Sequence, residues 1–245
     1  ITNHLSPVDL DSFSRCCRSF RNHTIAYKGR VFNIKRAYHG IFDKSEDLVD
    51  FQNLQASLLR LLVSGSTALK FFTRVDYGGD MDSYCHLPQA ITVGSWFLAH
   101  GLLYIPVGEQ LNHFSADFSR VCEHYDDETT PVDIPIQEDI REYKLNNIAV
   151  VWDFVRELLS VQLMATRGSP LTTILSFHST CVMNILTHNA AYCLFPKLTL
   201  ERRATLPMTE VQAAAINKYS QRGFEIMSNV PTSWTCNPNS ALTFL

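Results

Sequence analysis

Two aspartates and a small-residue turn are the residues of this chain whose types and spacing suggest chemistry. Asp80 and Asp82 are separated by one residue, and the turn Ser64-Gly65-Ser66 ends 13 residues before Asp80. On a strand, residues two apart point to the same side, roughly 6.6 Å from each other, so the two carboxylates could bind one divalent cation or a close pair. A turn with little side-chain bulk lets backbone N–H groups approach a phosphate at the positive end of a helix. Together these features indicate nucleotide chemistry.

The elements that must position these residues are predicted from hydrophobic periodicity. An apolar stripe predicts a long helix from Ser45 through Leu62, with Ser45 as its N-cap. A short apolar strand then ends at Ser64, a helix covers Ser66 to Arg74, and a second strand covers Asp80 to His86. Pro88 starts a further helix, which Gly101 stops.

The order strand, Gly-Ser, helix and Asp-x-Asp resembles the signature of the nucleotidyltransferase superfamily. The chain resembles more closely a group of mushroom (agaricomycete) proteins, in which the segment reads much like ISGSTALQFF…SDLDLY. The stretch from Ile174 to Thr187, which contains SFHSTCVMN, extends the likeness downstream. The resemblance covers most of the chain.

This resemblance implies an α+β fold, with a small mixed sheet flanked by helices. It also implies Mg²⁺ or Mn²⁺ at Asp80 and Asp82, and an NTP whose phosphates contact Ser64, Gly65 and Ser66. The implied reaction is transfer of a nucleotidyl group from the NTP to a hydroxyl acceptor, and nothing in the sequence selects the acceptor.

The third catalytic carboxylate of the superfamily is missing from its expected position. Lys144 to Phe154 and Leu159 to Thr166 are predicted as a hairpin of apolar strands, and the centre of the second strand is Gln162. A neutral amide cannot act as a general base. Asp153 is the alternative carboxylate if the hairpin register permits. The chain is therefore predicted either to transfer nucleotidyl groups or to be a catalytically degenerate binding or adaptor module.

Other candidate groups have ordinary structural explanations. His178 and His86 are interpreted as hydrogen-bonded histidines, and Cys181 is placed on a strand from Thr180 to Leu186 that separates it from His178. Lys218 and Arg222, four apart on a helix, either neutralise a triphosphate or form a solvated face.

Composition limits the possible partners. The net charge of −3 does not favour a nucleic-acid partner, and no apolar run has the length of a membrane span. Seven cysteines without a Cys-x-x-Cys pair favour reduced thiols and an intracellular location. The predicted ligand is an NTP.

Three regions are predicted. Residues 1–44 form a helical segment that starts at Ser6-Pro7, residues 45–200 form the nucleotidyltransferase-like core, and residues 201–245 form a C-terminal helix and an irregular tail. LSPVDLDSFSRCCRSFR loosely resembles an F-box and would dock a protein partner; a helix packed on the core is the favoured alternative. Within the core, Val121 to Glu142 is acidic and is predicted to be a surface loop. The C-terminal helix is predicted between a capping box at Thr209 and a stop at Gly223.

Overall fold

The structure is a computed structural model of an α+β protein, which confirms the predicted fold class at this level. It describes residues 5–38, 40–42, 44–58, 60–125, 147–177, 179–205, 213–227 and 242–244. Within these ranges no helix is both long and apolar enough to cross a membrane.

The N-terminal segment was predicted to be helical, and its described residues contain three helices: α1 (Pro7–Cys16), α2 (Arg18–Val31) and α3 (Ile34–Ala37). Ser6 starts α1 through a capping box, because its hydroxyl accepts from the Asp9 N–H while the Asp9 carboxylate accepts from the Ser6 N–H. Leu10 and Tyr27 are buried in the same hydrophobic cluster as residues of the sheet. The three helices therefore pack on the main body of the protein.

The remaining helices and strands follow in chain order. They are α4 (Ser45–Leu58), β1 (Leu62–Ser64), α5 (Gly65–Thr73), β2 (Met81–His86), α6 (Ala90–Ala99), β3 (Leu103–Ile105), α7 (Phe114–Tyr125), β4 (Ile148–Arg156), β5 (Leu159–Thr166), α8 (Pro170–Leu175), β6 (Asn184–Leu186), β7 (Ala191–Cys193), α9 (Pro196–Leu200), β8 (Arg203–Thr205), α10 (Ala213–Gln221), β9 (Glu225–Met227) and β10 (Leu242–Phe244).

The main sheet is mixed and has the strand order β10-β7-β6-β1-β2-β5-β4-β3. Its central pair, β2 and β5, is parallel, whereas the neighbouring pairs are antiparallel. β8 and β9 form a separate parallel pair. The register places Ser64 opposite Asp82, Asp82 opposite Gln162, and Gln162 opposite Asp153. Directly opposed residues share a face, so one face of the sheet carries these four positions in a row.

The two faces of the sheet bury different clusters. On one face Leu163 and Trp152 pack with Phe97 of α6 and Phe72 of α5. On the other face Tyr84 and Met164 belong to a cluster that includes Tyr219 of α10. Because side chains alternate along a strand, Asp82 and Gln162 lie on the same face as Tyr84 and Met164. The acidic row therefore lies beside the second cluster.

Three predicted elements differ clearly from the structure, and Asp80, which was predicted to lie on the second strand, precedes β2 by one residue. The helix from Ser45 ends at Leu58 rather than Leu62. The predicted strand from Thr180 starts only at Asn184; Thr180–Val182 is a 3-10 turn, and the Asn184 side chain stabilises it by donating to the Cys181 carbonyl at 2.7 Å.

The predicted acidic loop from Val121 was the third error. Its first five residues belong to α7, where Val121 is buried. Residues 126–142 lie outside the described residues, as do Lys144, His178 and the proposed capping box at Thr209.

A buried carboxylate holds α7 against the sheet. Asp117 is completely buried, and its two oxygens accept from Trp152 Nε1 at 2.7 Å, from the Leu111 N–H at 2.9 Å and from the Arg120 guanidinium at 2.7 and 3.0 Å. A buried charge is tolerated when it is paired with an opposite charge and hydrogen-bonded in this way.

Asp117→Asn is expected to lower the free energy of unfolding by about 1.5–3 kcal/mol, because charge-assisted hydrogen bonds to a buried group contribute about that much. The matched control is Asp11→Asn, which breaks the exposed ion pair of Asp11 with Arg15 and should cost at most about 0.5 kcal/mol. Urea unfolding of the two variants gives the comparison. Equal losses would show that the Asp117 network contributes no more than a surface ion pair.

Candidate functional site

The turn between β1 and α5 is built around a glycine that no other residue can replace without strain. Gly65 has φ +63°, in the left-handed region that side chains with a Cβ rarely adopt. Ser64, at the N-cap of α5, is completely buried, and its hydroxyl donates to the carbonyls of Val182 and Asn184 at 3.1 and 2.6 Å. The Ser64 side chain thus joins the end of β1 to the segment that leads into β6, and it is not free to bind a phosphate.

Asp82 packs directly against this turn. A Cβ added to Gly65 would overlap Oδ2 of Asp82 and would lie 2.9 Å from its Cγ. Ser66, one residue on, has its Oγ 3.4 Å from the carbonyl oxygen of Asp80. The Asp82 side chain and the Asp80 backbone therefore both lie against the turn, so a metal and a phosphate bound here would be close enough to share one ligand.

Gly65→Ala is expected to destabilise the protein and to displace the Asp82 carboxylate. Gly78→Ala is the matched control, because Gly78 has φ +64° but no atom within 4 Å of an added Cβ. Both variants incur backbone strain of about 1–2 kcal/mol; only Gly65→Ala adds the clash with Asp82. Urea unfolding should show a larger decrease in the free energy of unfolding for Gly65→Ala than for Gly78→Ala. Equal decreases would mean that the contact with Asp82 adds no destabilisation.

Gln162 lies between Asp82 and Asp153 in the row of opposed positions. Its Nε2 donates to Oδ1 of Asp153 at 3.1 Å. The register therefore brings Asp153 to the same face as Asp82, which answers the question that the sequence left open. However, Asp153 is two strands away from Asp82, or about 9.5 Å between backbones.

Burial and the charge of Asp80 raise the pKa of two carboxyl groups of the row, Asp82 and Asp153. Burial, followed by the nearby charge of Asp80, raises the pKa of the Asp82 carboxyl to about 7, although Lys218 and Arg222 act in the opposite direction. Burial also raises the pKa of Asp153, with a further contribution from Asp80, while the hydrogen bond from Gln162 opposes the shift. A cation at this site would relieve the repulsion among the carboxylates.

Basic side chains from the end of α10 face the Asp pair. The guanidinium of Arg222 lies between the rings of Tyr77 and Tyr219, 5.3 Å from each centroid, and its Nη2 donates to the Tyr77 carbonyl at 3.3 Å. Nη1 of Arg222 is shielded from solvent and has no hydrogen-bond acceptor in the described part of the chain. Lys218, which is exposed, also acts on Asp82. The two residues supply positive charge opposite the carboxylates.

An open groove leads away from the turn. A cavity of about 210 Å³ is lined by Ser66, Lys70 and Gly79, among other residues. It shares Lys70 with a cavity of about 450 Å³ that reaches Arg36 and Arg74. Asp76 lines both cavities and pairs with Lys70, and neither cavity is lined by Asp80 or Asp82, so this space lies beside Ser66 and α5 rather than over the Asp pair.

The donor set at the Asp pair fits a hard cation that keeps part of its water shell. Two carboxylates, an amide oxygen and a hydroxyl are oxygen donors of the kind that Mg²⁺ and Mn²⁺ accept. Among the described residues, no three side chains of His, Cys, Asp or Glu are grouped to hold a metal.

The other residues that the sequence suggested as candidates, His86 and Cys181, are accounted for by a hydrogen bond and by burial. His86 has Nε2 3.2 Å from the Arg167 carbonyl oxygen, within hydrogen-bond distance. Cys181 is completely buried, and that burial raises the pKa of its thiol to about 12, so it is not a nucleophile at neutral pH. The sequence analysis did not identify Tyr77 or Lys70 as part of the site. Only the low side-chain bulk of Gly78-Gly79 beside Tyr77 hinted at a ligand loop.

Comparisons with known proteins give no family assignment. The chain matches no protein-family model, no curated protein and no solved structure at a significant level. The class of protein must therefore be argued from the geometry of the site.

Proposed function

We propose that this chain is a nucleotidyltransferase-type protein that binds a divalent metal–nucleotide at Asp80 and Asp82. The observation that supports this proposal is the contact of the Asp82 carboxylate with the Gly65 turn at the start of α5. The Asp82 carboxylate, the proposed metal ligand, thus lies beside the N-terminus of α5, whose backbone N–H groups could bind a phosphate. A fold does not by itself imply a function, so the proposal depends on the site.

Each residue of the site has a proposed role. Asp80 and Asp82 would hold Mg²⁺ or Mn²⁺, which when bound neutralises phosphate charge. The N–H groups of Gly65 and Ser66 bind the β- and γ-phosphates at the N-terminus of α5. The positive charge of Lys218 and Arg222, which the structure brings near Asp82, balances the triphosphate from the other side.

The described part of the chain lacks an obvious general base for the acceptor hydroxyl, which an efficient transferase would need. Gln162 occupies the position opposite Asp82, and its amide cannot take the proton of an acceptor hydroxyl. Asp153 is engaged with Gln162 and lies one strand further away. These observations favour a second candidate function, a module that binds a nucleotide without turnover and acts as an adaptor. Metal–nucleotide binding is common to both.

Binding of a manganese complex of a non-hydrolysable ATP analogue tests the proposal. Asp82→Asn is expected to weaken binding by at least about a hundredfold, because even changes behind the direct ligands typically cost ten- to a hundredfold. Asp50→Asn is the control, since Asp50 is an exposed carboxylate 3.9 Å from His100. Calorimetry at pH 8 measures both variants. Equal affinity of wild type and Asp82→Asn would contradict metal ligation by Asp82, and no binding by wild type would contradict the proposed function.

A further inference from the structure

The hydrogen bond between Gln162 and Asp153 fixes the orientation of an amide that is otherwise free to flip. A glutamine amide has one donor end and one acceptor end, whereas an ionised carboxylate only accepts. Nε2 of Gln162 donates to Oδ1 of Asp153 at 3.1 Å, so the nitrogen end of the amide lies on the Asp153 side. Asp153 therefore selects one of the two amide orientations.

That orientation directs the amide oxygen away from Asp153. β5 lies between β2 and β4, and the position opposite Gln162 on the other side from Asp153 is Asp82 of β2. The part of the site that lacks the third carboxylate thus presents an oxygen donor without charge.

We propose, building on the proposed function, that Asp153 is a positioning residue that makes the Gln162 amide oxygen a neutral third ligand of the cation. The site would then combine two carboxylates and one amide oxygen. Ligand charge sets how strongly a hard cation is held and how many cations a site accepts. The site therefore binds one divalent cation, at Asp80 and Asp82. Gln162 is a ligand of this cation and not merely a residue that has replaced a lost carboxylate.

A double-mutant cycle tests whether Asp153 acts through Gln162. Asp153→Asn removes the constraint on the amide, and Gln162→Met removes the amide while keeping its length. Manganese titration at pH 8 without nucleotide, followed by the paramagnetic resonance of free Mn²⁺, gives the affinities. Asp153→Asn should weaken Mn²⁺ binding roughly tenfold in the wild-type background. In the Gln162→Met background the same change should weaken it by less than about twofold.

A purely electrostatic role of Asp153 predicts a different pattern. A charge acting at a distance would weaken binding by the same factor in both backgrounds, because independent effects add, and this result would overturn the inference. Glu157→Gln, in the turn between β4 and β5, is the control for removal of a charge without a bond to Gln162; its effect should be below about twofold. Urea unfolding of each variant identifies any loss of the fold.

The outcomes separate this inference from the proposed function. Mn²⁺ binding that depends on Asp82 but shows no coupling between positions 153 and 162 overturns the inference and leaves the function standing. Failure of the wild type to bind Mn²⁺, alone or with the ATP analogue, overturns both. A stoichiometry of one Mn²⁺ per chain with the predicted coupling supports the inference, whereas two Mn²⁺ ions at the site contradict it.

Discussion

Gln162→Asp is expected to raise nucleotidyl transfer by about a hundred- to ten-thousand-fold, the usual contribution of a general base. The expectation comes from the parallel pairing of β2 and β5, which places position 162 directly opposite Asp82 on the same face of the sheet. A carboxylate at this position would accept the proton of an acceptor hydroxyl beside the metal site. The wild-type amide lacks a group with the basicity to do so.

Incorporation of label from an α-labelled NTP into protein, RNA or a cell-extract acceptor pool measures this effect. Gln162→Asn is the matched control, because it has the size of aspartate and keeps the amide. If wild type already transfers label and Gln162→Asp does not improve the rate, position 162 is not the missing base, and Asp153 becomes the residue to test. Absence of transfer by both proteins to every acceptor would favour the adaptor function.

The carboxylate introduced by Gln162→Asp would lie next to that of Asp153. Asp153 is directly opposite position 162 on β4, and like charges in opposed positions destabilise a sheet. Mutual repulsion would raise the pKa of the pair, so the gain should be larger at alkaline pH. In the double variant Gln162→Asp with Asp153→Asn, the increase in transfer rate should appear at lower pH than in Gln162→Asp alone.

Local patterns in the sequence were enough to predict the elements that carry the site. The short apolar run before Ser64, the Gly65 turn and the Asp-x-Asp pair predict strand, helix and strand, and the structure has β1, α5 and β2 there, although Asp80 lies one residue before β2. The hairpin of β4 and β5 was also predicted, because its apolar strands are bounded by polar turn residues. In both cases the determining interactions lie within one or two neighbouring elements.

The relations between distant elements were not predictable from the same patterns. Whether Asp153 shares a face with Gln162 depends on the register of the hairpin, and a slip of one residue reverses the face. A two-residue turn sets that register, with Glu157 at φ +53°. β3 was missed because a strand of three residues is too short for its alternation to stand out. The position of Arg222 between Tyr77 and Tyr219 arises from packing between segments far apart in the chain.

Binding of Mn²⁺ is expected to weaken about tenfold for each pH unit below 7, because the proton competes with the cation for the Asp82 carboxylate. Burial and Asp80 raise the pKa of Asp82 from 3.8 to about 7 in the folded protein. Below this pH the carboxyl is protonated and cannot ligate a hard cation. Lys218→Met should move the midpoint of the binding profile to higher pH, since Lys218 lowers this pKa. Lys35→Met, which removes an exposed positive charge, is the control and should leave the midpoint unchanged.

The stability of the protein should follow pH in the opposite direction. A folded pKa above the unfolded value means that the folded state binds the proton more tightly, so the contribution of Asp82 to the free energy of unfolding falls as pH rises from about 4 to about 7 and is constant above that range. Metal affinity therefore rises over the same interval in which stability declines, and one carboxyl group causes both trends. Asp82→Asn should reduce both trends, with the raised pKa of Asp153 leaving a remainder of the same sign in stability. Urea unfolding and Mn²⁺ titration of the two proteins between pH 5 and pH 8 provide the measurement, and undiminished persistence of either trend in Asp82→Asn would assign it to another group.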